Sequence, residues 1–153
     1  MTKNLLLDTA ILLALAILGV IAYKLAPLFN PQTDVTLPLS SCQLSEQACV
    51  ATLPDGMQIE FSIEPRPIPA LQALQLRASI RGGEVRKLEV DFTGTEMKMG
   101  YNRPALEKLP DGRFSGQASL PVCITGRMEW HATLLVDTGK ALVAVPFRFL
   151  IGH

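Results

Sequence analysis

Leu53-Pro54-Asp55-Gly56-Met57-Gln58-Ile59-Glu60-Phe61-Ser62-Ile63 joins a turn to a strand within one short run. Met57, Ile59, Phe61 and Ile63 alternate with Gln58, Glu60 and Ser62. In extended backbone that spacing puts the apolar set on one face and the polar set on the other. In the turn, Pro54 presets its own φ, Asp55 bonds neighbouring backbone and Gly56 accepts positive φ, so a tight hairpin connection is expected. Leu-Pro-Asp-Gly returns at Leu109–Gly112, which is shared turn chemistry and not a duplicated domain.

The same period extends outward from this run. Leu74, Leu76, Ala78 and Ile80 alternate with polar partners, and Leu88, Val90 and Phe92 alternate with Glu89 and Asp91. Further runs cover 114–120, 128–136 and 141–151. Arg81-Gly82-Gly83 and Thr138-Gly139-Lys140 read as two more hairpin connections. No stretch here has a convincing amphipathic helical period. Short strands separated by turn residues predict an all-β domain over residues 42–153, an immunoglobulin-like antiparallel β-sandwich of seven to eight strands. Trp130 is expected in its core, without the Cys…Trp…Cys framework of antibody domains.

The front of the chain is different. Leu5 to Tyr23 carries Asp8 as its only charge, and a helix of that length spans roughly 28 Å, close to the hydrocarbon thickness of a bilayer. A cleaved signal peptide has a shorter apolar region and a small-x-small site, where this chain has Tyr23-Lys24-Leu25. An uncleaved transmembrane anchor over residues 1–25 is therefore expected, in contact with membrane lipid. Residues 26–41, with three prolines, read as an extended linker. Lys3 precedes the apolar segment and Lys24 closes it, and no Lys or Arg follows until Arg66. Asp34, Glu46, Asp55, Glu60 and Glu64 fill that interval. This bias predicts a single-pass protein of the bacterial inner membrane, with a cytoplasmic N-terminus and a periplasmic domain. Asp8 then lies near the cytoplasmic headgroups, where it complements the helix dipole.

Composition narrows the function. The chain has 153 residues, 48% hydrophobic and 18% charged, with mean hydropathy +0.28 and a formal net charge of zero. A neutral chain lacks the basic face that displaces counterions from phosphates, so no nucleic-acid partner is expected. Abundant aliphatic residues argue against disorder. Two histidines, scattered carboxylates and no phosphate-cradling glycine loop give no support for an enzyme.

Soft donors are the sharper signal. In an oxidising compartment Cys42 and Cys49 are expected to form a disulfide across a small loop. Cys123 is then left as a metal ligand, a reactive thiol or a buried small hydrophobe. Met97 and Met99 would point to one side of an extended backbone. Met128 and His131 follow Cys123 within eight residues. Thioether, thiolate and imidazole suit Cu(I), which makes Met97, Met99, Cys123, Met128 and His131 the candidate metal ligands. Core packing is the competing reading for Met128, which shares strand parity with Trp130, and an ordinary surface position for His131.

Phe92-Thr93-Gly94-Thr95-Glu96-Met97-Lys98-Met99-Gly100 leads into Asp111-Gly112-Arg113-Phe114-Ser115-Gly116, then Leu120-Pro121, then Gly126-Arg127-Met128-Glu129-Trp130. This order of M-x-M-G, a DG turn, an aromatic-x-G strand and a Gly before Trp resembles the FixH and YtkA-like group of membrane-anchored β-sandwich domains. The resemblance implies an exported accessory protein for copper handling or for assembly of haem–copper respiratory oxidases. Its partners would then be a membrane protein complex or a copper-assembly protein. A Sco-type Cys-x-x-x-Cys motif is absent. The alternative is a metal-free protein-interaction module associated with a membrane complex.

Overall fold

A computed structural model describes residues 2–29, 33–96, 100–121 and 127–151. One helix, α1 (Thr2–Phe29), precedes nine strands among the described residues: β1 (Val35–Thr36), β2 (Cys49–Thr52), β3 (Gln58–Glu64), β4 (Ala73–Arg81), β5 (Lys87–Gly94), β6 (Ala105–Lys108), β7 (Phe114–Ser119), β8 (Met128–Asp137) and β9 (Leu142–Ile151). The chain divides into two compact units, residues 1–32 and 33–153.

In the first unit, Leu7–Leu25 is long and apolar enough to cross a membrane. Its side chains are exposed all round, as suits an apolar rod in a lipid solvent. The helix continues through Pro27 to Phe29.

The second unit is mostly β. Its strands form one hydrogen-bonded sheet in the order β1-β9-β8-β5-β6-β7-β4-β3-β2. The pairs are antiparallel except β1, which runs parallel to β9 with Val35 opposite Val143. Of the 26–41 stretch expected as a linker, residues 26–29 continue α1 and 33–41 run along β9. There the N–H groups of Asp34, Leu37 and Ser40 donate to the carbonyls of Leu142, Ala144 and Pro146 at 2.9, 2.9 and 3.1 Å. An edge strand that pairs along one side through its backbone needs no two-faced side-chain pattern, and prolines are tolerated where no ladder N–H is required.

The expected pair of separate sheets is instead a single curled sheet, a half-barrel. Strand β6 accounts for the difference. Its Leu106 pairs with Leu88 of β5, and its Glu107 and Lys108 pair with Ser115 and Phe114 of β7. Gly116 of β7 permits this approach, because a Cβ there would lie 3.1 Å from the Ala105 carbonyl oxygen. Arg81-Gly82-Gly83 is also not a hairpin. It carries the chain from β4 in one half of the sheet to β5 in the other. Both Leu-Pro-Asp-Gly turns do close hairpins, β2–β3 and β6–β7, with the Gly56 and Gly112 N–H groups donating to Leu53 and Leu109 at 2.9 Å.

The inner faces share one core. Ile59, Phe61, Ile63, Leu74 and Leu76 from one half meet Val90, Phe92, Trp130, Phe147 and Phe149 from the other, all nearly or fully buried. Phe61 of β3 stacks with Phe147 of β9 at 6.1 Å between ring centroids, although β3 and β9 lie near opposite ends of the strand order. That contact closes the curl. Cys42 and Cys49 are joined by a disulfide, with Cα atoms 5.8 Å apart, and Cys49 begins β2.

Strand directions give the domain two unlike ends. Residues 53–57, 82–86, 109–113 and 138–141 all connect strands at one end, here the turn end. Residues 65–72, 95–96, 100–104, 120–121 and 127, with the disulfide loop, gather at the other, the loop end.

Candidate functional site at the loop end

In sequence, Met97 and Met99 fall between β5 and β6, and Cys123 falls between β7 and β8. Met97, Met99 and Cys123 themselves lie outside the described residues. Their described neighbours converge. Thr95 donates through its N–H and Oγ1 to the Glu129 carbonyl at 3.2 and 3.0 Å. Asn102 donates through Nδ2 to the Ser119 carbonyl at 3.0 Å, while its own carbonyl accepts the Phe92 N–H at 3.0 Å. These bonds extend the β5–β8 and β5–β6 partnerships beyond the strand ends, because backbone groups at a curled rim still need partners. Beside the Asn102–Ser119 bond lies a cleft of about 280 Å³ lined by Gly100, Tyr101, Asn102, Ser119, Pro121 and Trp130.

Met128 and His131 are described, and they face opposite ways. Met128 is buried on the inner face of β8, in register with Ile151, as expected for core packing. His131 is on the outer face, in register with Thr93 and Arg148. Its Nε2 lies 3.6 Å from Glu129 Oε1. Residues three apart on a strand project to opposite faces, so these two side chains do not converge on one ion.

Three features of this region carry no signal in the sequence. Arg103 Nη2 donates to Asp91 Oδ2 at 3.2 Å, with its side chain only 13% exposed. The same guanidinium lies 5.2 Å from the Tyr101 ring centroid, within cation–π range. Arg103 Nε is buried with no hydrogen-bond partner among the described atoms. Leu71 is held in the left-handed region at φ 58°, which an ordinary L side chain rarely adopts. Its N–H donates to the Leu120 carbonyl at 3.3 Å, while its side chain is 72% exposed. Tyr101, 76% exposed, adds a second large apolar surface to the same rim.

Chemically, this end offers apolar contact surface, backbone carbonyls and an internally paired guanidinium. Among the described residues no three His, Cys, Asp or Glu side chains are grouped to hold a metal ion. A clear electrostatic perturbation is found at the turn end. The Arg113 guanidinium hydrogen-bonds the Asp111 carboxylate and holds its pKa below the ordinary value, while Asp111 raises that of Arg113. In comparisons with known proteins, no protein-family model matches the chain and no curated protein matches it.

Proposed function

We propose that this protein is a membrane-tethered, extracytoplasmic accessory protein that handles Cu(I), in the service of assembling a haem–copper respiratory oxidase. In this reading α1 is the anchor in a bacterial inner membrane, with the N-terminus cytoplasmic and the β-domain periplasmic. The flanking lysines and the acid-rich stretch after them support that orientation. The facing halves of the sheet, β1-β9-β8-β5 and β7-β4-β3-β2, support reading the domain as an immunoglobulin-like sandwich whose layers are joined by β6.

The observation that carries the copper reading is the convergence at the loop end. The residues on either side of 97–99 and of 122–126 are tied together by the bonds from Thr95 and Asn102. Met97, Met99 and Cys123 are the ligands of this proposal. Met128 is a core residue and His131 an outer-face residue, so neither is needed. The order of short motifs that resembles the FixH and YtkA-like group is a second support.

Competition of the full chain in detergent against a Cu(I) chelator tests it. A Met97→Ala/Met99→Ala/Cys123→Ser variant is expected to lose most of the Cu(I) affinity. Retention of that affinity would overturn the reading. A metal-free docking module is favoured by one separate observation, the exposed Leu71 and Tyr101 beside the cleft. Under that reading a membrane complex co-purifies with the chain, and the triple variant leaves the co-purification unchanged.

A further inference from the structure

The chain crosses from one edge of the sheet to the other within residues 43–48. On one side Asp34, Leu37, Ser40 and Leu44 are bonded in turn along β9, and Gln43 bridges to Arg148. On the other side Cys49 opens β2, the last strand in the hydrogen-bonded order. The Cys42–Cys49 disulfide therefore joins the two edges by a route shorter than the chain itself. Little else seats them. Of residues 33–52 only Leu44 and Cys49 are buried, whereas β8 buries Met128, Trp130, Ala132, Leu134, Leu135 and Val136. Segments with few buried apolar side chains and exposed backbone bonds are the first to open.

The bridge itself is unevenly covered. Cys42 is half-buried and Cys49 fully buried, so a reductant reaches Cys42 Sγ first. Both sulfurs face backbone carbonyls: Cys42 Sγ lies 3.9 Å from the Ala48 oxygen, and Cys49 Sγ lies 3.9 Å from the Gln47 oxygen. Gln47 Nε2 also lies 3.7 Å from Cys42 Sγ. A thiol is a weak donor, so each S–H of the reduced pair has an acceptor in place. The reduced form leaves neither sulfur stranded without a polar partner.

We propose that the Cys42–Cys49 disulfide is a redox-operated clasp on the two edges of the sheet. A thiolate of a dithiol reductant attacks Cys42 Sγ, and the Sγ–Sγ bond breaks with its electron pair on Cys49 Sγ, which takes a proton from water. The second thiol of the reductant then displaces Cys42, which is protonated in turn, and the reductant leaves as a disulfide. The bridge gains two electrons and the reductant loses two. With the loop constraint gone, residues 33–52 part from the sheet as one unit while the remaining strands keep their core. The carbonyls of Leu142, Ala144, Pro146 and Arg148 are then uncovered along β9.

Amide hydrogen exchange of the full chain in detergent tests this, in a Cys123→Ser background that leaves Cys42 and Cys49 as the only cysteines. Rates are read at urea concentrations below the unfolding transition, with and without dithiothreitol. With dithiothreitol the Leu37, Ser40, Leu44 and Ala51 amides are expected to exchange at least about tenfold faster, at rates that do not respond to urea. The Trp130 and Leu134 amides keep the urea dependence of global opening. If the edge amides of the reduced chain share that dependence, the bridge is a static stabiliser and the proposal is overturned. Resistance of the bridge to dithiothreitol until urea unfolds the domain overturns it as well. A Cys42→Ala/Cys49→Ala variant without reductant is expected to repeat the reduced pattern, and edge amides protected to the oxidised level in that variant would also overturn the proposal.

Discussion

Replacing Phe61 and Phe147 by leucine, singly and together, tests whether the sheet closes on itself. Both rings are fully buried, 6.1 Å apart and inclined by 29°. Five strands separate β3 from β9 in the sheet's hydrogen-bonded order. Full truncation to alanine would cost about 3–5 kcal/mol at each site, a large part of the roughly 5–15 kcal/mol that holds a domain folded. Leucine keeps most of the volume, and each single change is expected to cost about 1–1.5 kcal/mol. Beyond burial, a ring pair in this geometry contributes about 0.5–1.5 kcal/mol. The double variant should therefore be less destabilised than the sum of the singles by that amount. Sites that do not touch add within about 0.3–0.5 kcal/mol, so the coupling is measurable by urea denaturation followed through Trp130 fluorescence. Phe92 and Phe149, edge-to-face at 6.1 Å, flank β8 within one half of the sheet and serve as a positive control. Additive losses for Phe61 and Phe147, with coupling intact in the control, would mean that the two halves do not meet.

Other outcomes follow from the same structure. Reducing the Cys42–Cys49 bridge, which spans a sequence separation of 7, should lower stability by about 2–3 kcal/mol, read as a fall in Tm that a Cys42→Ser/Cys49→Ser variant no longer shows. Gly139→Ala should destabilise by more than Gly112→Ala in thermal melts. Both positions have positive φ, but only at Gly139 does the added Cβ strike Arg86, whereas at Gly112 nothing lies within 4 Å. The Asp111 carboxyl, held below its ordinary value of 3.8 by Arg113, contributes stability above its unfolded pKa and loses it as pH falls through the lowered folded value. An NMR titration of its carboxyl carbon should show a midpoint below 3.8 in the wild type and a return towards the ordinary value in Arg113→Ala.

Strands with two distinct faces are legible in the sequence alone. Ile59, Phe61 and Ile63 alternate cleanly because the outer face of β3 meets water, and β4, β5 and β8 repeat that logic. The short strands are not legible. In β6 only Leu106 is buried, and in β2 Val50 points outward with Cys49 and Ala51 beneath it, so neither has enough alternation to declare itself. Alternation also specifies a face and never a partner, so no residue pattern foretells that β6 pairs on both sides. Residues 33–44 escape for a related reason, because they join β9 through backbone bonds that leave no mark on side-chain pattern. At the loop end the sulfur residues stand out as soft donors. Arg103 with Asp91, and the left-handed Leu71, arise from tertiary placement that no local spacing encodes.

The seam between the first and last strands also determines how the domain bears a load. The N–H groups of Asp34, Leu37, Ser40 and Leu44 are bonded in succession to carbonyls along residues 142–148, with the two segments running in the same direction. If a partner grips the loop end, a pull on Thr33 along the strand axis stresses these bonds together in shear. Peeling them one after another would require a sideways pull. A domain held this way keeps its core shut under tension until the whole seam slips at once, so the seam acts as a mechanical fuse between whatever holds Thr33 and whatever holds the loops.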